Sequence, residues 1–166
     1  MSRHIQDRKR LLDYLERENY LKTYEVRLAM EKVDRANFVR SIDRHAAYDD
    51  TPLSIGQGQT ISAPHMVAMM LEELKLEKTD NLLEIGSGCG YHAAVASRMV
   101  SSVTSVERIT YIYELACENL EGFDNIQLVN GDGSRGFVEN SPYNKIMVTC
   151  GAPRVPPPLI DQLEVG

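Results

Sequence analysis

Three short stretches carry residues whose types and spacing can do chemistry. Gly86-Ser87-Gly88-Cys89-Gly90 follows the expected strand Asn81–Ile85 and precedes a helical pattern. A turn without Cβ atoms closes tightly and lets a ligand lie against backbone N–H groups near a helix N-terminus. Glu107 ends the next expected strand, about 20 positions on, where a carboxylate can accept from both hydroxyls of a ribose. Gly131-Asp132-Gly133 ends the third expected strand and offers an acid to an adenine amino group, although NGDG is equally a turn sequence. Turn and acid together predict an adenosine-ribose site. The plainer alternative is a packing turn and a surface glutamate.

The elements that must position these residues follow a regular rhythm from residue 80. DNLLEIG, SVTSVE, NIQLVNGDG and KIMVTCGAP read as four strands. GCGYHAAVASRMV and ITYIYELACENLEG read as the helices between the first three, the second stopped by Gly122. Strands alternating with helices imply βαβ units and a mostly parallel sheet, hence an α/β, Rossmann-like fold. Upstream, residues 5–18 and Tyr24–Val33 carry helical apolar spacing, and Pro64 opens a helix through Leu74 with Ser62 as its cap. Between them, YDDTPLSIGQGQTISAP has no clean period and reads as a long, functional loop. The chain is expected to be one domain, with 1–78 a helical cap and loop and 79–166 the cofactor-binding core.

Composition narrows the function. The 166 residues are 43% hydrophobic and 25% charged, with a net charge of −6, which disfavours a nucleic-acid partner held by phosphate neutralisation. No apolar run approaches the roughly 20 residues that cross a bilayer, and the charged N-terminus is no secretory signal. Cys89, Cys117 and Cys150 read as reduced thiols of a cytoplasmic protein. With His4, His45, His65 and His92 equally scattered, no metal site is expected.

The glycine spacing selects among adenosine cofactors. The dinucleotide fingerprint GxGxxG requires glycine at 91, where Tyr91 stands, so a nicotinamide-dependent oxidoreductase fits poorly. GxGxG preceded by an acid, here Glu84, is the pattern of S-adenosylmethionine methyltransferases. Ser87 lies in GSG, not GxSxG, which sets a serine hydrolase aside.

AYDDTPLSIGQGQTISAPHMVAMM, LLEIGSGCGYHAAV, SVER, NLEGFDNIQLVNGDGS and SPYNKIMVTCGAP together resemble the successive motifs of protein-L-isoaspartate (D-aspartate) O-methyltransferases. The resemblance runs from about Val26 to the last residue, and QTISAPHM is distinctive of that family. It implies methyl transfer from S-adenosylmethionine to the α-carboxylate of isoaspartyl or D-aspartyl residues in damaged proteins, leaving S-adenosylhomocysteine. The ester then collapses to a succinimide that hydrolyses in part to aspartate. By the resemblance, Ser62 is the active-site serine, and Ile55, Gly56, Gln57 and Gly58 form the loop over the cofactor. Gly86, Gly88 and Gly90 form the turn, Glu107 and Arg108 the ribose corner, and Asp132 and Gly133 the adenine side. A carboxylate with a pKa of about 4 is ionised at neutral pH, so no strong base is needed and a hydroxyl suffices to orient it. His65 is a minor alternative as a base for Ser62.

Asp34 and Thr110 replace the family's usual prolines, and Asn144 its usual aspartate. The family continues past this C-terminus into further strands. The sequence therefore predicts a sheet lacking its last strands, an edge at Lys145–Thr149 without a later neighbour, and self-association through it. A truncated, inactive cofactor-binding domain is the second functional reading.

Overall fold

The computed structural model describes residues 3–165. Helices α1 (Arg3–Arg17) and α2 (Tyr24–Lys32) form the expected cap. Leu11, Leu12 and Leu15 of α1, spaced i, i+1, i+4, and Val26, Ala29 and Met30 of α2, spaced i, i+3, i+4, are buried, each set on one helical face. Thr23 caps α2 by accepting the Val26 N–H at 3.4 Å. Glu72, on the helix α3 (Pro64–Leu74), fastens the connection between α1 and α2. Its Oε1 accepts from the Lys22 N–H at 2.8 Å, the Thr23 N–H at 2.8 Å and the Thr23 hydroxyl at 3.1 Å.

The stretch expected as a loop is ordered differently. Residues Leu53–Gly56 (β1) and Gln59–Ile61 (β2) pair as an antiparallel hairpin whose turn carries Gln57 at φ 51°. Only Ile55 and Ile61 of the hairpin are buried. Ser62 does not cap α3 either; the cap position is Ala63, with no side-chain bond, and Pro64 starts the helix.

From residue 81 the rhythm is as the sequence implies. β3 (Asn81–Ile85), β4 (Ser102–Glu107), β5 (Ile126–Asn130) and β6 (Lys145–Val148) form one parallel sheet in the order β5-β4-β3-β6. Helix α4 (Tyr91–Ala96) links β3 to β4, and α5 (Thr110–Asn119) links β4 to β5. α4 is shorter than its sequence suggests, because beyond Ala96 the chain tightens into i→i−3 bonds, from the Arg98 N–H to Val95 O at 3.1 Å and from the Met99 N–H to Ala96 O at 2.8 Å. Period-2 alternation sends Leu82, Val103 and Met147 into the large core with the helices α1 to α5. Leu83, Ile85 and Val106 face the other side, where they meet Tyr143, just before β6, and Leu159 of the short helix α6 (Pro157–Asp161).

The edge beyond β6 departs from expectation in one respect. Past α6 the chain returns to Tyr143 and makes a parallel bridge to it through Leu163. The Tyr143 N–H donates to Gln162 O and the Glu164 N–H to Tyr143 O, each at 2.8 Å. Tyr143 thus has a later neighbour, although Lys145–Val148 itself pairs only with β3 among the described residues. No helix is long and apolar enough to cross a membrane among the described residues.

Replacing Glu72 by alanine strands three donors at once, so Glu72→Ala is expected to cost about 3 kcal/mol of stability. Glu72→Gln, which keeps the accepting oxygen, is expected to cost about 1 kcal/mol. Urea denaturation measures both; an alanine loss no larger than the glutamine loss would contradict the assignment.

Candidate functional site

Sheet order alone predicts where a ligand belongs. The chain runs from β3 outward through β4 to β5, then returns to the opposite side of β3 with β6. That reversal opens a crevice beyond the carboxyl ends of β3 and β6. A cavity of about 850 Å³ lies there. Its walls are residues 58–62, 86–89, 106–109, 132–135 and 148–154.

The glycine turn forms the floor, and its backbone explains its composition. Gly86 has φ 96°, in the left-handed region that disfavours side chains. A Cβ there would stand 2.9 Å from Thr149 Oγ1 and 3.1 Å from Cys150 Cβ. The Thr149 hydroxyl donates to Gly86 O at 2.5 Å, and the Gly86 N–H to Val106 O at 2.8 Å. The turn is therefore stitched to both neighbouring strands.

Glu107 stands at the carboxyl end of β4 and is 7% exposed. Its Oε2 accepts the Gly88 N–H at 3.1 Å, and its Oε1 accepts the Ile109 N–H at 3.0 Å. Each oxygen keeps a further lone pair. The carboxylate is thus fixed in orientation before any ligand arrives. Asp132 lines the same cavity, largely exposed, and accepts the Ser134 N–H at 3.0 Å. Hydrogen bonding from Ser134, its hydroxyl first and then its N–H, holds the Asp132 pKa below the usual carboxylate range.

Of the residues singled out in the sequence, Gly58, Ser62, Gly86, Gly88, Glu107, Arg108, Asp132 and Gly133 line the cavity. The remaining five do not. Ile55 is buried and packs its Cδ1 toward Gly88, 3.7 Å from where a Cβ would stand. Gly56 lies against Tyr111, and Gln57 is exposed at the hairpin tip. Gly90 caps α4 and fits under Leu120. Glu84 is wholly buried behind the turn, where burial pushes its pKa up to about 8.

Ser62 is half-buried in the cavity wall. His65 faces elsewhere: its N–H and its ring Nδ1 both meet Asp50 Oδ1, at 2.9 and 3.0 Å. It makes no bond to Ser62. Sequence reasoning missed the wall formed by Thr149, Cys150 and the segment through Arg154. Its signal lies in topology, because the carboxyl end of the strand beside β3 must face the crevice. Sequence reasoning also missed Arg35, which is fully buried, donates from Nε to Ala47 O at 3.0 Å and lies 5.1 Å from the Tyr91 ring centre.

The arrangement fits a nucleoside with vicinal hydroxyls. Glu107 offers two oriented acceptors, and the floor at Gly86 has no room for a side chain. A family model described as protein-L-isoaspartate (D-aspartate) O-methyltransferase matches residues 6–166. A protein-L-isoaspartate O-methyltransferase of Methanothermobacter thermautotrophicus is 48% identical over 167 residues, spanning 98% of this chain and 77% of that protein. One from Ignicoccus hospitalis is 49% identical, spanning 98% and 80%. A solved protein-L-isoaspartate O-methyltransferase superimposes with a TM-score of 0.85 at 33% identity, covering 95% of this chain and 52% of that one. This chain thus spans about half of that solved structure. A Plasmodium falciparum β-aspartate methyltransferase in complex with S-adenosyl-L-homocysteine gives a TM-score of 0.82 at 27% identity, covering 99% and 81%.

Gly86→Ala forces both the backbone strain and the contact with Thr149, and is expected to cost about 2 kcal/mol. Chemical denaturation reads this directly. A stability within about 0.5 kcal/mol of the parent would show that the turn has more room than its geometry implies.

Proposed function

The chain belongs to the protein-L-isoaspartate (D-aspartate) O-methyltransferase family, and from that premise we propose how its own residues carry out the transfer. The enzymes of this family are S-adenosylmethionine-dependent methyltransferases acting on isoaspartyl residues of proteins, and this chain is one of them. S-adenosylmethionine supplies a methyl group on a sulfonium, already activated for attack.

The observation that carries the reading is the Glu107 carboxylate, held by the N–H groups of Gly88 and Ile109 at the edge of the cavity. We assign it to the ribose hydroxyls. Asp132 and Gly133 take the adenine side, supported by their place on the wall beyond Glu107. Ile55, packed toward Gly88, braces the hairpin over the turn, while Gly56 and Gln57 shape its tip and Gly58 its cavity side. Gly90 sets the start of α4, and Arg108 flanks the ribose corner.

Ser62 orients the substrate carboxylate. Ser62 is part of the wall formed by residues 58–62, and residues 148–154 supply another part of the lining. That carboxylate needs no base at neutral pH, which agrees with the absence of a Ser62–His65 bond. Catalysis then comes from holding the carboxylate oxygen in line with the methyl group and from exchanging its water for fixed donors. Arg108, Arg135 and Arg154 all line the cavity of a chain whose net charge is −6. They favour entry of an anionic group against the overall charge. Free cysteines at 89, 117 and 150 support a reducing, cytoplasmic setting. The outer edge of β6 supports contact between copies of the chain.

Incubation with labelled S-adenosylmethionine and an isoaspartyl peptide is expected to label the peptide; no transfer would overturn the reading. Ser62→Ala is expected to lower kcat at least tenfold while changing cofactor affinity less than twofold; equal losses would misplace its role. Glu107→Ala is expected to weaken cofactor binding by about 1.5–3 kcal/mol, and an unchanged Kd would contradict the ribose assignment.

A further inference from the structure

A carboxyl that the transfer itself does not use lies beneath the glycine turn. Glu84 is fully buried in the middle of the sheet, between β4 and β6. Its Oε2 accepts the Ser105 hydroxyl at 2.5 Å, and Ser105 Oγ lies 2.6 Å from Ser87 Oγ. Its Oε1 has no partner. Ser87 is part of the cavity floor. Three side chains thus connect the interior of the sheet to the surface on which a ligand would lie.

The surroundings of Glu84 leave its charge unanswered. It makes no ion pair among the described residues, and the acidic group nearest in influence is Glu107 on β4, which adds repulsion. Cys89 in the turn and Cys150 beyond β6 are thiols whose pKa burial raises, Cys89 to about 11, so both stay neutral. His92 of α4, in the same cavity lining, is pushed down to about 4 by burial and is neutral too. An ionised carboxylate in such a place costs several kcal/mol, so the acid form is the resting one. Burial raises the Glu84 pKa to about 8, with the Glu107 charge adding and the Ser105 hydrogen bond opposing.

We propose that Glu84 is a positioning residue acting through Ser105 and Ser87, which supports the glycine turn as a neutral acid and releases its proton to solvent when the cationic methyl donor binds. The proposal rests on the cofactor assignment above. A sulfonium brought into the cavity favours the ionised form of a nearby unpaired carboxyl. By linkage, the ionised carboxyl favours the sulfonium by the same factor. After transfer the sulfur is a neutral thioether, the carboxylate again has no countercharge, and a proton returns from solvent. The enzyme thereby distinguishes its methyl donor from its product by a charge it buries, with no contact to the methyl group.

The test is calorimetric titration of the chain with S-adenosylmethionine and with S-adenosylhomocysteine, near pH 7, in two buffers of different ionisation heat. The donor is expected to release a sizeable fraction of one proton and the product close to none. The donor-to-product affinity ratio is expected to rise several-fold between pH 6 and pH 8. Glu84→Gln, which keeps size and hydrogen bonding to Ser105, is expected to bind both ligands and to lose both effects. Equal proton exchange for the two ligands in the parent protein overturns the proposal, and so does a difference that survives in Glu84→Gln. The parent comparison decides the matter even if that variant does not fold. Failure of both ligands to bind overturns the cofactor assignment together with the inference built on it.

A second readout needs no ligand. The folded-state pKa of Glu84 lies above the unfolded value of about 4.3, so its contribution to stability is full below that pH and is lost as pH rises through about 8. Glu84→Gln is expected to flatten that decline, and an unchanged decline would speak against the buried acid.

Discussion

Glu107, through its carboxylate and its main-chain oxygen together, ties the carboxyl ends of three strands. Its side chain takes the Gly88 N–H from the turn after β3 and the Ile109 N–H from its own corner. Its main-chain oxygen takes the Asn130 side-chain N–H at 2.8 Å and the Gly131 N–H at 3.0 Å, from the corner after β5. These bonds satisfy donors that would otherwise be left unpaired where strands end and helices begin. They also fix the position of an acid that has lone pairs to spare. Order of the strands, closure of the turn and orientation of the acid are thus one constraint.

Two glutamates on neighbouring strands show how surroundings set chemistry. Glu107 has two backbone donors and an edge on the cavity, which fix the direction of its oxygens as acceptors. Glu84 has one hydroxyl partner, an orphaned oxygen and no solvent, conditions that favour the acid. One is suited to grip polar hydroxyls, the other to respond to charge. The two are linked through the turn itself, since Ser87 leans on Ser105 while the next residue, Gly88, donates to Glu107.

The sequence made the second half of the fold readable because its signals are strong and local. Asn81–Ile85 carries Leu82, Leu83 and Ile85, ends at a glycine run and is a strand in the structure. Glu107 was placed by spacing, and the structure brings it to the turn. The hairpin at residues 53–61 was not readable. Its strands are four and three residues long, only Ile55 and Ile61 are buried, and its turn depends on left-handed backbone at Gly56, Gln57 and Gly58. No alternation survives at that length. The burial of Glu84 was hidden for a related reason. A GxGxG pattern with a preceding acid does not say on which side of the turn the acid lies, and only the strand pairing settles that. Residues 149–154 carry few side chains with evident chemistry, so their place in the cavity follows from sheet order, which spacing does not encode.

The central claim is that the glycine turn and Glu107 form one preorganised cradle for the adenosyl group. Its most direct test is a crystal structure of the chain grown with S-adenosylhomocysteine. The account predicts a ligand lying against residues 86–89, both ribose hydroxyls on the Glu107 carboxylate, and the bonds from Gly88 and Ile109 unbroken. A ligand bound outside the cavity, or a Glu107 swung away from both backbone donors, would contradict it.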